Sequence, residues 1–274
     1  MGEESDSVSG KLKKNQESFA VLGIPCHQIT TMSVEVVSAC GRSNSGSSRP
    51  FFCEANDGNF YFVKSGNLSP DELVREFLMS RLAEECGLPV APVRILAVPQ
   101  ALKTFAVFDE PDEFLAGEVF GSQRIPFADD LRASHVSLIE EESRIRCLCF
   151  DWWVRNANRR LDLLGGDSNL LWDPLLNGVY LIDHSQCLNP GFDADAFKRE
   201  HAFRDSRPFI EKKFFKKWRT RFESTIYNLG KLWEEIPESW LVDESGDSRI
   251  SFDRQTIEAQ LIKPQHDIEG ILPN

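Results

Sequence analysis

The spacing of apolar residues changes character along the chain. Between residues 34 and 64 they fall in short β-branched and aromatic runs, "VEVVSAC" (34–40), "PFFCEA" (50–55) and "NFYFVK" (59–64). Such runs predict strands. Asn56-Asp57-Gly58 separates the last two, and these residue types tolerate positive φ, so a hairpin is expected there. "GRSNSGSS" (41–48) reads as a loop. The period then lengthens. Ser69 precedes Pro70 and stands three residues before Glu72, which is an N-cap, a first-turn proline and a capping box. Leu73, Val74, Phe77, Leu78 and Leu82 give the helix an apolar face, and Gly87 and Pro89 stop it. "VAPVRIL" and "TFAVFD" read as two further strands.

Beyond residue 110 the helical period dominates. "ASHVSLIEEESRIRCLCFDWWVRN" (133–156) predicts one helix, and "NLLWD" and "GVYLID" a hairpin around "PLLNG". From 207 to 240 apolar residues recur at helical spacing with basic residues between them. "KKFFKKWRTR" is read first as the solvated face of an amphipathic helix, with an RNA or membrane site as the lesser alternative. Residues 1–17 are polar and expected to be disordered, and 243–274 read as a more polar tail.

Composition narrows the classes. With 41% hydrophobic residues, 20 Phe and 6 Trp in 274 residues, the chain can build a sizeable core. A formal charge of -12 disfavours nucleic acid and anionic membranes as partners, without forbidding a local basic pocket. Seven scattered cysteines with no Cys-x-x-Cys pair read as reduced thiols rather than a disulfide framework or zinc site. The first residues lack the apolar run of a signal peptide. Asp6 stands where a Gly2 myristoylation pattern wants Ser or Thr, and no stretch approaches a membrane span. A cytoplasmic protein is expected.

Lys64 ends the apolar strand "FYFVK", where an ammonium can reach phosphate oxygens or simply cap a strand at the surface. Two neighbours favour the first. The loop with Gly41, Ser45 and Gly46 could cradle phosphates with its backbone N–H groups, unless it is a flexible linker. The helix that follows carries Glu76 on its second turn, and a strand lysine paired to a helix glutamate orients a triphosphate. Farther on, Asp183 leaves "VYLID" and Asn169 opens the partner strand. Their carboxylate and amide oxygens suit Mg²⁺, although a cap and a turn residue are the plainer roles.

"NFYFVK", "ELVREFLMSRLAEECGLPVAPV" and "FDWWVRNANRR…DSNLLW…VYLIDHS" together resemble the HipA-like kinase family, in its compact branch, over about residues 30–240. More remotely they resemble phosphatidylinositol kinases and eukaryotic protein kinases. The resemblance implies an α+β, bilobal protein-kinase-like fold. A small antiparallel β-sheet lobe with one helix (18–110) would bind ATP, and a larger, mainly helical lobe (111–242) would carry catalysis. It also implies ATP and Mg²⁺ as cofactors and a protein Ser or Thr as acceptor, with a partner that no residue identifies. Lys64 would bind the phosphates with Glu76 as its partner, and Asp183 and Asn169 would hold the metal.

The family pattern Asp-x-Trp-x-x-Asn-x-Asp-Arg fits Asp151, Trp153, Asn156 and Arg159, but Asn158 stands where the family has its catalytic aspartate. A second departure is the longer loop ending in Asp167-Ser168-Asn169, which leaves Asp167 and Asn169 as rival metal ligands. An amide can accept a hydrogen bond from a hydroxyl and orient it, but it cannot take the proton at neutral pH. Asp162, Asp167 and Asp151 are the carboxylates that could replace the base. The reading is therefore a HipA-like kinase. The alternatives are a nucleotide-binding pseudokinase acting as regulator or scaffold, and a kinase-like fold turned to another substrate class.

Overall fold

The computed structural model of the chain describes residues 33–43, 48–106, 111–161, 168–266 and 268–272. It is a mixed fold with two sheets and several helices. The first strands are β1 (Val34–Arg42), β2 (Phe51–Ala55) and β3 (Phe60–Lys64). Gly58 takes φ +79 in the turn between the last two, as the Asn-Asp-Gly run requires. α1 (Pro70–Glu85) follows, and its capping box forms as read. Ser69 Oγ accepts from Glu72 N–H, and the Glu72 side chain accepts from Ser69 N–H at 3.0 Å. β4 (Val93–Val98), α2 (Gln100–Phe105) and β5 (Gly117–Gln123) complete this part.

The expected antiparallel sheet is instead a closed barrel, in the order β1-β2-β3-β5-β4. Closure comes from one parallel pair, Val34 to Leu96 and Glu35 to Ala97. Closing the sheet satisfies the outer edges of β1 and β4, which would otherwise stay open. Val36, Phe51, Cys53, Tyr61, Val63, Leu96, Phe114 and Val119 fill a compact core here. Two local readings also change. Thr104 and Phe105, read as the start of a strand, end α2, which opens at Pro99, and residues 107–109 of that segment lie outside the described residues. The strand that does pair with β3 and β4 is β5, "GEVFGSQ", whose glycines and polar residues give little strand signal. Pairing on both edges overrides its propensity.

β6 (Asp129–Asp130) is short and pairs with the hairpin described below. The single helix expected over 133–156 is two pieces. A 3-10 turn at Ala133–Leu138 gives way to extended backbone at Ile139 and Glu140, and α3 (Glu141–Trp153) then begins. Ser, His and Val are weak helix formers in the first piece, whereas three consecutive glutamates favour a helix start. The hairpin β7 (Leu170–Asp173) and β8 (Gly178–Leu181) stands where the sequence placed it. The remaining helices are α4 (Ala194–Glu200), α5 (Lys212–Tyr227), α6 (Leu229–Glu234), α7 (Glu238–Leu241) and α8 (Arg254–His266).

The larger core is built on α3. Trp153 stacks on Phe222 of α5 with ring centroids 4.0 Å apart, and its indole N–H donates to Leu261 O of α8 at 2.9 Å. The polar C-terminal stretch is thus folded onto the protein: Ile257, Leu261 and Ile271 are fully buried.

The chain from 225 to 252 also runs along α1. From the end of the helix to its start, the paired residues are Cys86 with Thr225, Glu85 with Asn228, Arg81 with Glu235, Phe77 with Trp240, Arg75 with Phe252 and Asp71 with Ser251. α1 is held along its whole length.

Candidate active site

Lys64 is the last residue of β3 and shares the Phe62 face of that strand, so both side chains reach the same cavity. The cavity measures about 160 Å³ and is lined by Ser43, Ser48, Phe62, Lys64, Glu76, Asp130, Asn169 and Asp183, among others. Lys64 Nζ lies 3.2 Å from Glu76 Oε2 and 3.1 Å from Asp183 Oδ1. All three side chains are buried or nearly so. The ammonium is held by charge: neither carboxylate lies where a well-directed hydrogen bond would form.

The electrostatics follow from this crowding. Burial alone would lower the Lys64 pKa, but Glu76 and Asp183 outweigh it and keep the ammonium charged. Burial and the nearby Asp183 push Glu76 up to about 7, against the pull of Lys64. Asp183 is buried as well, yet Lys64 and the Ser185 hydroxyl, which donates to Oδ1 at 2.8 Å, hold it well below the usual carboxylate range. The two carboxylates that share one ammonium are therefore pushed in opposite directions, Glu76 up and Asp183 down.

Asn169 and Asp183 flank the hairpin, each one or two residues outside its ladder. Both adopt left-handed backbone, φ +50 and +55, which ends the pairing and turns the side chains toward the cavity. The strand "VYLID" accordingly stops at Leu181 and not at Asp183. Asn169 Nδ2 donates to Asn158 O at 2.8 Å, and among the described residues nothing donates to Asn169 Oδ1. Asp183 Oδ1 takes the Ser185 hydroxyl and Lys64, and the Glu76 carboxyl lies within hydrogen-bond reach of the same carboxylate, which faces the cavity. One carboxylate oxygen and one amide oxygen facing a cavity fit a Mg²⁺ that takes its other ligands from phosphate and water. The chemistry of this donor set also suits ATP beside Lys64.

Behind these residues lies a fully buried polar network. Asp151 accepts from Asn156 Nδ2 at 2.9 Å and from Arg159 Nε, and His201 Nε2 approaches its other oxygen at 3.1 Å. Arg159 Nη1 donates to the carbonyls of Asn169 and Ile182, and Nη2 to His184 Nε2 at 2.9 Å. Burial raises the Asp151 pKa less than Arg159 and His201 lower it, so the group stays ionised. Both of its oxygens are engaged and it is inaccessible to a substrate hydroxyl, which removes Asp151 as a replacement base.

Lys64, Glu76, Asn169 and Asp183 therefore converge as the sequence placed them. Asn158 is half-buried, adjoins Asn169 through its own carbonyl and is not among the cavity-lining residues. Its side-chain amide has no hydrogen-bond partner among the described residues. Gly41 is corrected. With Arg42 it continues β1 past a bulge at φ +147, and a side-chain carbon there would meet nothing within 4 Å, so the glycine serves the strand's backbone and is absent from the cavity wall. Ser45, Gly46, Asp162 and Asp167 lie outside the described residues. The sequence reading missed Phe62, Ser43, Ser48 and Asp130. Phe62 was recoverable from its two-residue spacing to Lys64. Asp130 was not, because a two-residue strand has no period.

The HipA-like kinase family model matches residues 36–268. The fold is similar to the crystal structure of the proinflammatory kinase CtkA of Helicobacter pylori, at 9% sequence identity and TM-score 0.42, covering 87% of this chain and 96% of that one. It is also similar to CtTel1 in its open conformation, at 13% identity and TM-score 0.36, covering 82% of this chain and 11% of that one. No curated protein matches the sequence significantly. The family match alone carries the assignment, and it takes in every site residue described above: the chain belongs to the HipA-like kinase family.

Proposed function

We propose that the protein is an ATP- and Mg²⁺-dependent phosphotransferase acting on a Ser or Thr of a protein partner. In this reading the barrel with α1 is one lobe and the helical remainder the other. The observation that carries it is the buried Lys64–Glu76–Asp183 cluster on a cavity that the Asp183 and Asn169 side chains also line. Phosphoryl transfer gains most from positioning and charge neutralisation, and these residues supply both. Lys64 meets phosphate oxygens with a charge that Glu76 and Asp183 hold in place. Asp183 and Asn169 would hold Mg²⁺, which when bound neutralises charge on the phosphates. Asn158 Oδ1 accepts a hydrogen bond from the attacking hydroxyl and orients it without removing its proton.

A second reading, a nucleotide-binding regulator, draws on the same Asn158 and on the full engagement of Asp151. Both readings keep nucleotide and metal, and they part over turnover. A protein partner suits the acidic chain better than nucleic acid does. A reducing, cytoplasmic setting suits its six described cysteines, all free thiols and five of them buried.

Calorimetric titration of ATP with and without Mg²⁺ tests the shared core. Wild type should bind in a Mg²⁺-strengthened manner, and Asp183→Ala should lose the metal's contribution. A metal effect that survives Asp183→Ala would place the metal elsewhere and overturn the assignment of the hairpin.

A further inference from the structure

His184 makes three buried hydrogen bonds that join the elements of the site. Its backbone N–H donates to Glu76 Oε2 at 2.9 Å. Its ring Nδ1 lies 3.0 Å from Ser80 Oγ, and its Nε2 2.9 Å from Arg159 Nη2. A guanidinium only donates, so Nε2 is the acceptor, the proton sits on Nδ1, and Ser80 Oγ accepts it. The ring is neutral, fully buried and packed edge-on against Phe150 at 6.2 Å.

Each partner has a second role. Ser80 lies one turn beyond Glu76 on α1, and Glu72, one turn before, accepts from Gln186 Nε2 at 2.9 Å. One face of α1 is thereby tied, turn by turn, to residues 184–186. Arg159 bonds the carbonyls of Asn169 and of Ile182, so it fixes the backbone at both left-handed residues, Asn169 and Asp183, whose side chains line the cavity.

We propose that His184 is a positioning residue, oriented by Ser80, whose ring sets the Asp183 and Asn169 oxygens for the metal. This rests on the phosphotransferase reading above. A ring that merely filled the core would affect stability alone. A positioning ring would affect the metal requirement separately from the rest of nucleotide binding.

The test compares wild type with Ser80→Ala and His184→Asn. ATP affinity is measured without Mg²⁺ and across a Mg²⁺ titration, with Tm recorded for each protein. Groups that orient metal ligands typically cost about 10-fold or more in metal affinity when removed. The Mg²⁺ concentration for half-maximal enhancement should therefore rise about 10-fold in each variant, while metal-free ATP affinity stays at the wild-type value. If His184→Asn fails to fold, Ser80→Ala decides alone, because it deletes one hydroxyl. Unchanged Mg²⁺ midpoints, with or without a lower Tm, would overturn the positioning role and leave the function standing. A wild type that binds no nucleotide would overturn the function and the positioning role together.

Discussion

Asn158 differs from a carboxylate by one proton-accepting oxygen, and that difference separates orientation of a hydroxyl from its deprotonation. Around it the charged groups are intact. Lys64→Ala removes the cavity's ammonium and leaves Glu76 and Asp183 facing each other. ATP affinity measured by calorimetry should fall by at least about 10-fold, in line with the 1.5–3 kcal/mol typical of hydrogen bonds to charged groups. An unchanged affinity would mean that phosphate binds elsewhere.

His201 gives a pH prediction. Phe203 N–H donates to its Nδ1 at 3.0 Å, so Nε2–H donates to Asp151. Burial lowers its pKa below 6.5 even though Asp151 pulls the other way. With the folded pKa depressed, the unfolded chain binds more protons below 6.5, and stability is lost as pH falls through that window. Tm should decline from about pH 6.5 toward 5 through His201 and the equally buried His184 together, and His201→Gln, which keeps a donor near Asp151, should make the decline shallower.

At the scale of the element, α1 carries the site, since Glu72, Glu76 and Ser80 face residues 184–186 while residues 225–252 grip its other sides. Ser69→Ala breaks the capping box and should cost about 1 kcal/mol in chemical denaturation. Trp240→Ala removes the ring against Phe77 and the indole donor to Glu118 O on β5. It should cost about 3–5 kcal/mol and weaken ATP binding in protein that remains folded.

The start of α1 was legible because a capping box is a local chemical motif. The hairpins at 56–58 and 173–178 were legible for the same reason, and so were Lys64, Asp183 and Asn169 at strand ends. Barrel closure was not, because the β1–β4 pair joins residues more than sixty apart and no local pattern encodes it. β5 was hidden by its glycines. The break at Ile139 and Glu140 was hidden by a continuous helical period. His184, Arg159, His201 and Asp151 could be quoted from the sequence, but their network arises only when four separate segments meet.

For the molecule as a whole, the negative charge and the basic run reconcile simply. Phe215, Trp218 and Phe222 bury the inner face of α5, while Lys212, Lys216 and Lys217 stay exposed, as expected of an amphipathic helix. Among the described residues no helix is long and apolar enough to cross a membrane. What remains distinctive is the buried Lys64–Glu76–Asp183 cluster on a cavity, with Asn158 in place of a family aspartate.

The measurement that tests this most directly is phosphate transfer from Mg-ATP. It would be followed by intact mass on the protein and on candidate acceptors for wild type, Asn158→Asp and Asp183→Ala. Wild type should transfer phosphate slowly, Asp183→Ala not at all, and Asn158→Asp about 10²–10⁴ faster than wild type, the usual worth of a general base. Transfer that survives Asp183→Ala, or bound ATP that neither wild type nor Asn158→Asp turns over, would contradict the phosphotransferase reading.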